Sequence, residues 1–500
     1  MAAAFSFSQI TKTFGSLLAN DSVSFEVRAQ SVHGVVGENG AGKSTIMKIL
    51  YGMYQADSGT VHVGDKPVRF DSPEQAIAAG IGMVHQHFML VPTLTVWQNI
   101  VLGSEPFAWR PNAKSAMAQL TALQNEFGFS LNLTAVVGDL PVGLQQQVEI
   151  LKLLYRKAQI LIFDEPTAVL TPQEVDALIV RLRALRDQGK TIVFISHKLR
   201  EILALTEAVT VLRQGKTVGT WQTTELNESL LAEKMIGRKM QALPSRKAWQ
   251  DAPAVVETRD LRLTVDKHTR LDGISLQVRP GEIVGVAGVD GNGQQELIEI
   301  LARAREDYEG QVFWDSKPYS FVSPYRHKQL GLAVIPPDRH HEAVILDFDL
   351  RENMLLGHHR ESDFARHRCL QWTEIEKRTR ETVERFDVRP ANPRAQMRGL
   401  SGGNQQKLVV GRELARSVRF LLAAHPTRGV DIGAIERIHT EILKLRDAGA
   451  AVLLFSSELE EILALSDRIL VIYNGQIQGE CRREATDEKK LGLWMVGGAA

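Results

Sequence analysis

The stretch VVGENGAGKST, residues 35–45, places a glycine-rich turn between an apolar segment and the helix-forming residues that follow it. Residues 37–44 match the pattern G-x-x-x-x-G-K-[ST]. Glycines let successive backbone N–H groups turn onto phosphates, and the positive end of the following helix points to the same place. The stretch therefore predicts a strand, a phosphate-binding loop and a helix, with Lys43 as a mobile cation. A merely structural glycine-rich turn is the alternative.

The chain contains two copies of this and other segments. VAGVDGNGQQE at 286–296 echoes residues 35–45 at an offset of 251 residues. LPVGLQQQVEI at 140–150 returns as LSGGNQQKLVV at 400–410, an offset of 260 residues. We therefore predict two domains, residues 1–240 and 255–500, joined by a linker at 241–254 that has two prolines and no apolar periodicity.

Each copy alternates apolar runs of strand length with helical patterns. SVHGVVG, QILIFD and TIVFIS are examples of the former, and EVDALIVRLRALRDQG is one of the latter. This alternation predicts the α/β class with a mainly parallel sheet. Residues from about Lys114 to Arg156 predict an inserted helical subdomain.

Composition limits the partners of the chain. Lys plus Arg and Asp plus Glu number 59 each, so no net charge attracts the chain to nucleic acid or to an anionic membrane. Two distant cysteines suggest a reducing compartment, with the cytoplasm as the default. The uncharged stretch from Gln75 to Ser104 is interrupted by polar residues and is a poor membrane span, so membrane attachment would need a partner.

Two acidic residues end the apolar strand ILIFD. Ser44 and Asp164 are predicted to hold Mg²⁺, and Glu165 to act as general base on the attacking water. Capping of the next helix is the alternative role for Glu165. His197, after TIVFIS, could contact a terminal phosphate and Gln86 could sense the metal, with a structural histidine as the alternative.

Histidine clusters elsewhere favour no metal site. His85 and His87 flank Gln86, but alternate residues of an extended segment point to opposite faces. RHH at 339–341 and HHR at 358–360 are predicted to be solvated loop residues.

The combination of GENGAGKS, ILIFDE, LSGGN and the histidine after FIS resembles the ATP-binding cassette (ABC) ATPases, twice over nearly the whole chain. The resemblance implies two tandem P-loop NTPase domains, each with an added antiparallel β region. Two fused cassettes of this length look like the ATPase subunit of bacterial importers for simple sugars and nucleosides. LPVGLQQQVEILK, DEPTAVLTPQE, GVDGNGQQEL and PTRGVDIGAIE look most like the nucleoside branch.

In that family cassettes pair head to tail, so the resemblance implies that the two halves pair intramolecularly around ATP and Mg²⁺. Phe14 would stack on adenine. The other residues implied at the first site are Gly37, Glu38, Asn39, Gly40, Ala41, Gly42, Lys43, Ser44, Thr45, Gln86, Asp164, Glu165 and His197, with Ser401, Gly402, Gly403 and Asn404 of the second signature loop.

The second site would combine residues 288–295 with 140–144, and the substitutions fall on it from both halves. The replacements are Gln294 for Lys43, Gln295 for Ser44, Pro337 for Gln86, Ala424 for Asp164, His425 for Glu165 and Ser457 for His197, with Pro141 and Leu144 in the signature loop. We therefore predict hydrolysis at the first site alone. Nucleotide binding at the second site stays open.

The resemblance also implies partners. These are two membrane permease subunits and, through them, a substrate-binding protein, with the chain peripheral at the cytoplasmic face of the inner membrane. Permease helices would dock beside residues 93–103 and 348–357, although these segments could simply cover the helical subdomains. The alternatives are import of a pentose or hexose, and a soluble twin cassette acting on ribosomes or nucleic acid. Three features argue against action on ribosomes or nucleic acid: the neutral net charge, the short linker and the substitutions in the second site.

Overall fold

The computed structural model describes residues 2–15, 17–85, 88–104, 113–167, 170, 172–239, 243–244, 252–289, 291–319, 324–367, 369–495 and 497–498. The chain divides into two compact units, Met1–Met240 and Gln241–Ala500. Most of the proposed linker lies outside the described residues. Among the residues that are described, no helix is both long enough and apolar enough to cross a membrane.

The first unit contains ten strands and eight α-helices within its described residues. The strands are β1 Ala3–Phe14, β2 Leu17–Arg28, β3 Val32–Val36, β4 Ser58–Val63, β5 Lys66–Val68, β6 Ile81–Val84, β7 Ile160–Asp164, β8 Thr191–Ile195, β9 Ala208–Arg213 and β10 Lys216–Gln222. The helices are α1 Lys43–Leu50, α2 Pro73–Ala78, α3 Val96–Val101, α4 Ala113–Phe127, α5 Val142–Tyr155, α6 Pro172–Asp187, α7 Leu199–Leu205 and α8 Glu228–Ile236.

Two sheets form the body of this unit. The larger has the order β10-β9-β3-β8-β7-β6 and is parallel except for β10. The smaller is antiparallel, in the order β2-β1-β4-β5. The predicted helical insertion is present as α4 and α5, which lie between β6 and β7 in the chain.

The second unit repeats this plan. Its strands are β11 Val256–Val265, β12 His268–Val278, β13 Ile283–Ala287, β14 Glu309–Trp314, β15 Lys317–Pro318, β16 Leu332–Ile335, β17 Ala365–Arg366, β18 Cys369–Leu370, β19 Phe420–Ala424, β20 Ala451–Phe455, β21 Arg468–Tyr473 and β22 Gln476–Arg482. Its helices are α9 Gln294–Leu301, α10 Pro324–Gln329, α11 Arg339–Glu342, α12 Leu350–Met354, α13 Trp372–Phe386, α14 Gly402–Leu414, α15 Ile432–Asp447, α16 Leu459–Leu465 and α17 Glu488–Met495.

Its sheets match those of the first unit in order and direction. The larger runs β16-β19-β20-β13-β21-β22 with only β22 antiparallel, and the smaller runs β12-β11-β14-β15. A short β17–β18 hairpin is added before α13. The predicted class, two α/β cassettes with mainly parallel sheets, is confirmed.

The first helix of each unit is held within an apolar core. In the first unit Ile46, Met47 and Leu50 of α1 are fully buried in a cluster that includes Phe5 of the small sheet and Ile162 of the large one. Burial of a large aliphatic side chain contributes about 1.5–3 kcal/mol. The core therefore fixes α1 firmly, and with it the loop that leads into its N-terminus.

Candidate functional site

The glycine-rich loop of the first unit joins β3 to α1 in a conformation that requires glycine. Gly40 and Gly42 have φ of +82° and +93°. A Cβ on Gly42 would lie 2.4 Å from the carbonyl oxygen of Ala19, so no other residue fits there. The loop ends at Lys43, the first residue of α1, where free backbone N–H groups make an anion site.

Lys43 folds back over this loop. Its Nζ donates to the carbonyl oxygens of Gly37 at 2.8 Å and Glu38 at 3.1 Å. Burial lowers the pKa of Lys43, while the charges of Glu165 and Asp164 act to raise it. A buried cation beside a glycine turn fits a phosphate group.

Ser44 and Asp164 form an oxygen pair at the carboxyl end of β7. The Ser44 hydroxyl donates to Asp164 Oδ1 at 3.0 Å. Burial raises the pKa of Asp164, and the Ser44 hydrogen bond opposes that rise. A hydroxyl and a carboxylate oxygen are hard ligands of the kind Mg²⁺ prefers, so these residues fit that ion.

Glu165 pairs with His197. Its Oε1 lies 3.2 Å from His197 Nδ1, and its backbone N–H donates to Ile195 O at 2.9 Å. Burial acts to raise the pKa of Glu165, but the His197 hydrogen bond and neighbouring cations outweigh it and hold the pKa below its usual value. Glu165 is therefore ionised at neutral pH, as a general base must be. Among the described residues the next helix after Glu165 is α6, which begins at Pro172, so Glu165 does not stand at its N-terminal cap position.

Asn20 is a site residue that sequence reasoning missed. It is fully buried in β2, and its Nδ2 donates to the carbonyl oxygen of Gly42 at 3.2 Å. Leu271 stands 251 residues later, at the corresponding position of the second copy. A comparison of the two copies at that offset could have identified the polar-to-apolar change.

Phe14, another predicted site residue, is not brought into this cluster. Phe14 ends β1, is 40% exposed, and makes an edge contact with Tyr54 at 5.2 Å between ring centroids. Gln86 lies outside the described residues. Their predicted roles stay predictions.

In the second unit the matching glycine-rich loop is residues 288–295, and its polar side chains form hydrogen bonds within that unit. Gln294, in place of Lys43, donates from Nε2 to Val289 O at 3.1 Å, and Gln295 donates to Glu299 Oε1 at 3.1 Å. Asn292 donates to Val289 O at 3.0 Å and accepts the Asn474 N–H at 2.9 Å. The glycine geometry is kept, with φ of +91° at Gly291 and +104° at Gly293. The second unit therefore keeps the glycine-rich backbone turn but lacks the lysine.

Asp164 and Glu165 of the first unit are replaced by Ala424 and His425 in the second, while the backbone conformation is kept. His425 has φ of +46° where Glu165 has +51°, and its N–H donates to Phe455 O at 2.8 Å. Its ring Nδ1 accepts the Ser457 N–H at 3.4 Å. Ala424 ends the strand where Asp164 ends β7. Positions 424 and 425 therefore offer no carboxylate that could ligate a metal or accept a proton from water.

The two signature loops also differ. Ser401 caps α14, and its Oγ accepts the backbone N–H of Asn404 and the Nδ2 of the same residue, the latter at 2.9 Å. Asn404 Oδ1 accepts the Arg389 N–H at 2.9 Å. Pro141 precedes α5 and offers no side-chain cap. Only the second unit presents a hydroxyl at the start of this helix.

The prediction that RHH and HHR are solvated loop residues holds for His340, His341, His359 and Arg360, which are exposed, and is wrong in two respects. Arg339–Glu342 forms the short helix α11, capped by Asp338. His358 is 3% exposed and lies 2.7 Å from Glu361 Oε1. Burial against charged partners is set by tertiary packing and leaves no mark in the local pattern. Across the described ranges, no group of three or more His, Cys, Asp or Glu residues could hold a metal ion.

A strand, a phosphate loop with its lysine, a Ser–Asp pair and a Glu–His pair define a P-loop nucleotide-hydrolysing unit, and the chain contains this fold twice. The ABC transporter family model matches residues 20–168 and 271–428. The chain therefore belongs to the ABC transporter family, and it is an ATPase of that family.

Relatives extend over almost the whole chain. It is 43% identical to the nucleoside import ATP-binding protein NupA of Lactococcus lactis subsp. cremoris, across 98% of this chain and 97% of that protein. The guanosine import ATP-binding protein NupO of Bacillus subtilis is 43% identical, across 98% and 96%. The glucose import ATP-binding protein TsgD13 of Haloferax volcanii is 42% identical, across 98% and 95%.

Proposed function

We propose that the chain energises the import of nucleosides by hydrolysing ATP for separate membrane permease subunits, which receive cargo from a substrate-binding protein. The single observation that carries this is the intact set of Lys43, Ser44, Asp164, Glu165 and His197 in a chain whose relatives include NupA and NupO. The proposed location is the cytoplasmic face of the cell membrane.

In the proposed reaction the first unit binds the triphosphate and directs water at it. The loop N–H groups and Lys43 hold the phosphates, and Phe14 packs on the adenine. Glu165, oriented by His197, accepts a proton from water as its oxygen attacks the terminal phosphorus. The bond from that phosphorus to the bridging oxygen breaks, and ADP and phosphate leave. Ser44, Asp164 and Gln86 would hold Mg²⁺, which neutralises phosphate charge when bound.

The signature residues Ser401, Gly402, Gly403 and Asn404 are proposed to serve the nucleotide held by Lys43. The support is the distribution of substitutions along the sequence. The second copy has lost its lysine and acidic residues but keeps LSGGN, whereas the first copy has the reverse pattern. Independent decay of one copy would have removed LSGGN as well. Hydrolysis is therefore proposed at one site per chain.

Exposed apolar residues support permease docking on both units. Met89, Val91 and Leu102 flank α3, and Ile345 and Phe348 precede α12. These residues fall in or beside the two segments that the sequence singled out for docking. Apolar side chains left exposed in a group are typical of protein interfaces.

Import of a simple sugar is the second candidate. The observation that favours it is the 42% identity to TsgD13, which is close to the 43% identity to NupA. In either case the permease subunits and the substrate-binding protein, and not this chain, would select the cargo.

Purification of the tagged chain from detergent-solubilised membranes, followed by ATPase assays of the reconstituted complex, tests the proposal. We expect permease subunits to copurify and nucleosides to stimulate turnover. Lys43→Ala should abolish turnover in the same preparation. Stimulation by pentoses or hexoses alone would favour the second candidate, and absence of any membrane subunit would contradict both.

A further inference from the structure

Two arginines of the second unit lie beside its signature loop. Arg339 begins α11, and Arg428 follows β19. The Arg339 Nη2 lies 2.5 Å from where a Cβ on Gly402 would stand, so its guanidinium packs on the first residue of α14. The same guanidinium lies 4.0 Å from the corresponding point on Gly429, the residue after Arg428.

Asp338 is the acidic side chain whose charge acts on Arg339, and it forms no ion pair with that guanidinium within the described residues. Among the residues that the structure describes, neither guanidinium forms an ion pair or a hydrogen bond. The Arg339 Nε is buried and has no hydrogen-bond partner. Burial lowers the pKa of Arg339, the like charge of Arg428 lowers it further, and the charge of Asp338 opposes both effects without cancelling them. Two like charges held close together are unfavourable unless an anion offsets them.

The first unit has no arginine at either of the two corresponding positions. At the offsets that relate the two copies, Phe88 stands for Arg339 and Ala168 for Arg428. The Glu174 Oε1 lies 2.4 Å from where a Cβ on Gly143 would stand. A carboxylate therefore faces residues 140–144, which correspond to the LSGGN loop of the second unit. The arginines therefore accompany the intact LSGGN loop, and a carboxylate accompanies the loop that has lost it.

Three further features of the second loop favour an anion. The N-terminus of the 13-residue helix α14 carries partial positive charge, Ser401 offers a hydroxyl, and Gly402 and Gly403 leave their N–H groups unobstructed by side chains of their own. Arg339 lies directly against this start of the helix. Guanidinium groups bind phosphate oxygens by paired hydrogen bonds.

We propose that Arg339 and Arg428 are catalytic residues that bind the terminal phosphate of ATP together with the Ser401 loop. This rests on the proposed function, in which that loop serves the nucleotide held by Lys43. The two arginines offset the negative charge that spreads over the phosphoryl oxygens as the bond to ADP breaks. ADP lacks the group they contact, so they act on ATP and not on ADP.

The test measures ATP and ADP affinity in the full chain carrying Glu165→Gln, which is expected to keep ATP bound without turnover. Arg339→Gln and Arg428→Gln are added singly and together, with Arg339→Lys as the conservative variant. Arg398→Gln is the matched control, because Arg398 lies three residues before Ser401 but pairs with Asp347. Thermal unfolding midpoints check folding.

We expect the double variant to weaken ATP binding by about tenfold or more and to change ADP binding less than about twofold. Arg339→Lys should recover part of the ATP affinity, and Arg398→Gln should match the parent. Equal losses for ATP and ADP, or no loss for ATP, would overturn the arginine assignment. The Glu165→Gln variant without arginine changes tests the proposed function separately. If it retained ATP turnover, the proposed function would be contradicted, whatever the ATP affinity of the arginine variants.

Discussion

At the scale of single residues, the amide of Asn20 determines how the phosphate loop is held. It is the buried side-chain donor to the Gly42 carbonyl oxygen, and the second copy has Leu271 instead. Loss of one such hydrogen bond costs about 0.5–1.5 kcal/mol. The loop of the first unit therefore depends on a residue outside its own motif.

Asn20→Leu, which installs the residue of the second copy, should weaken ATP binding about two- to tenfold. The reason is that Gly42 O loses its donor and the loop becomes less ordered. Isothermal titration with ATP checks this, and the thermal midpoint of the variant reports on folding. An unchanged ATP affinity would show that the hydrogen bond has no part in holding the loop.

The motif residues could be predicted from the sequence because each is identified by its immediate neighbours in the chain. Lys43 and Ser44 follow the glycines directly, and Asp164 and Glu165 end a run of apolar residues. Asn20 belongs to no local motif, because its contact joins residues 22 positions apart, and only a comparison of the two copies marks its position. His358 was misassigned for a related reason, since its burial depends on partners such as Glu413, far along the chain.

At the scale of elements, the turn from β3 into α1 is fixed by Gly42. Its φ of +93° and the 2.4 Å approach of Ala19 O leave no room for a side chain. The sequence pattern predicted the turn correctly. It could not show that β2 lies against the turn, because strand pairing is a tertiary property.

Gly42→Ala should therefore reduce ATP affinity at least tenfold, because the new Cβ forces the loop away from β2. Gly64→Ala is the control, with φ of +57° and open space around the added Cβ. It bears only the conformational cost of about 1–2 kcal/mol for a positive φ. Equal effects of the two changes on ATP binding would contradict the steric argument.

A second element-scale feature is a buried polar pair that links β3 to β9. His33 Nε2 lies 2.8 Å from Thr210 Oγ1, and burial lowers the pKa of His33 to about 4. The second copy has the apolar pair Val284 and Leu470 at these positions, and both are buried. The first unit alone carries this acid-sensitive group between its central strands.

Between pH 6.5 and 4 the unfolded chain binds a proton at His33 that the folded unit does not, so stability falls as the pH is lowered. The loss at pH 5 is about 2 kcal/mol. Hydrogen exchange of the β3 amides at pH 7 and pH 5 measures it, with the β13 amides as internal reference. His33→Val should remove the extra acid sensitivity of β3. Persistence of that sensitivity in the variant would assign it to other groups.

At the scale of the whole molecule, two copies of one fold have kept their backbone and diverged in chemistry. Glu165 and His425 share a positive φ and the same backbone hydrogen bond to the neighbouring strand. The sequence predicted both the duplication and the loss, because each lies in matching motifs at constant offsets. It could not predict that the side chains of Gln294 and Asn292 would both donate to the carbonyl oxygen of Val289 in the second loop.

The central claim is that ATP is hydrolysed by the chemistry of the first unit alone. The most direct test is the steady-state ATP turnover of Glu165→Gln and His425→Ala, measured side by side in the complex with its membrane subunits. We expect Glu165→Gln to fall below about 1% of the parent rate, since a lost general base costs about 10²–10⁴-fold, and His425→Ala to stay within about twofold. Comparable losses in the two variants would contradict the claim.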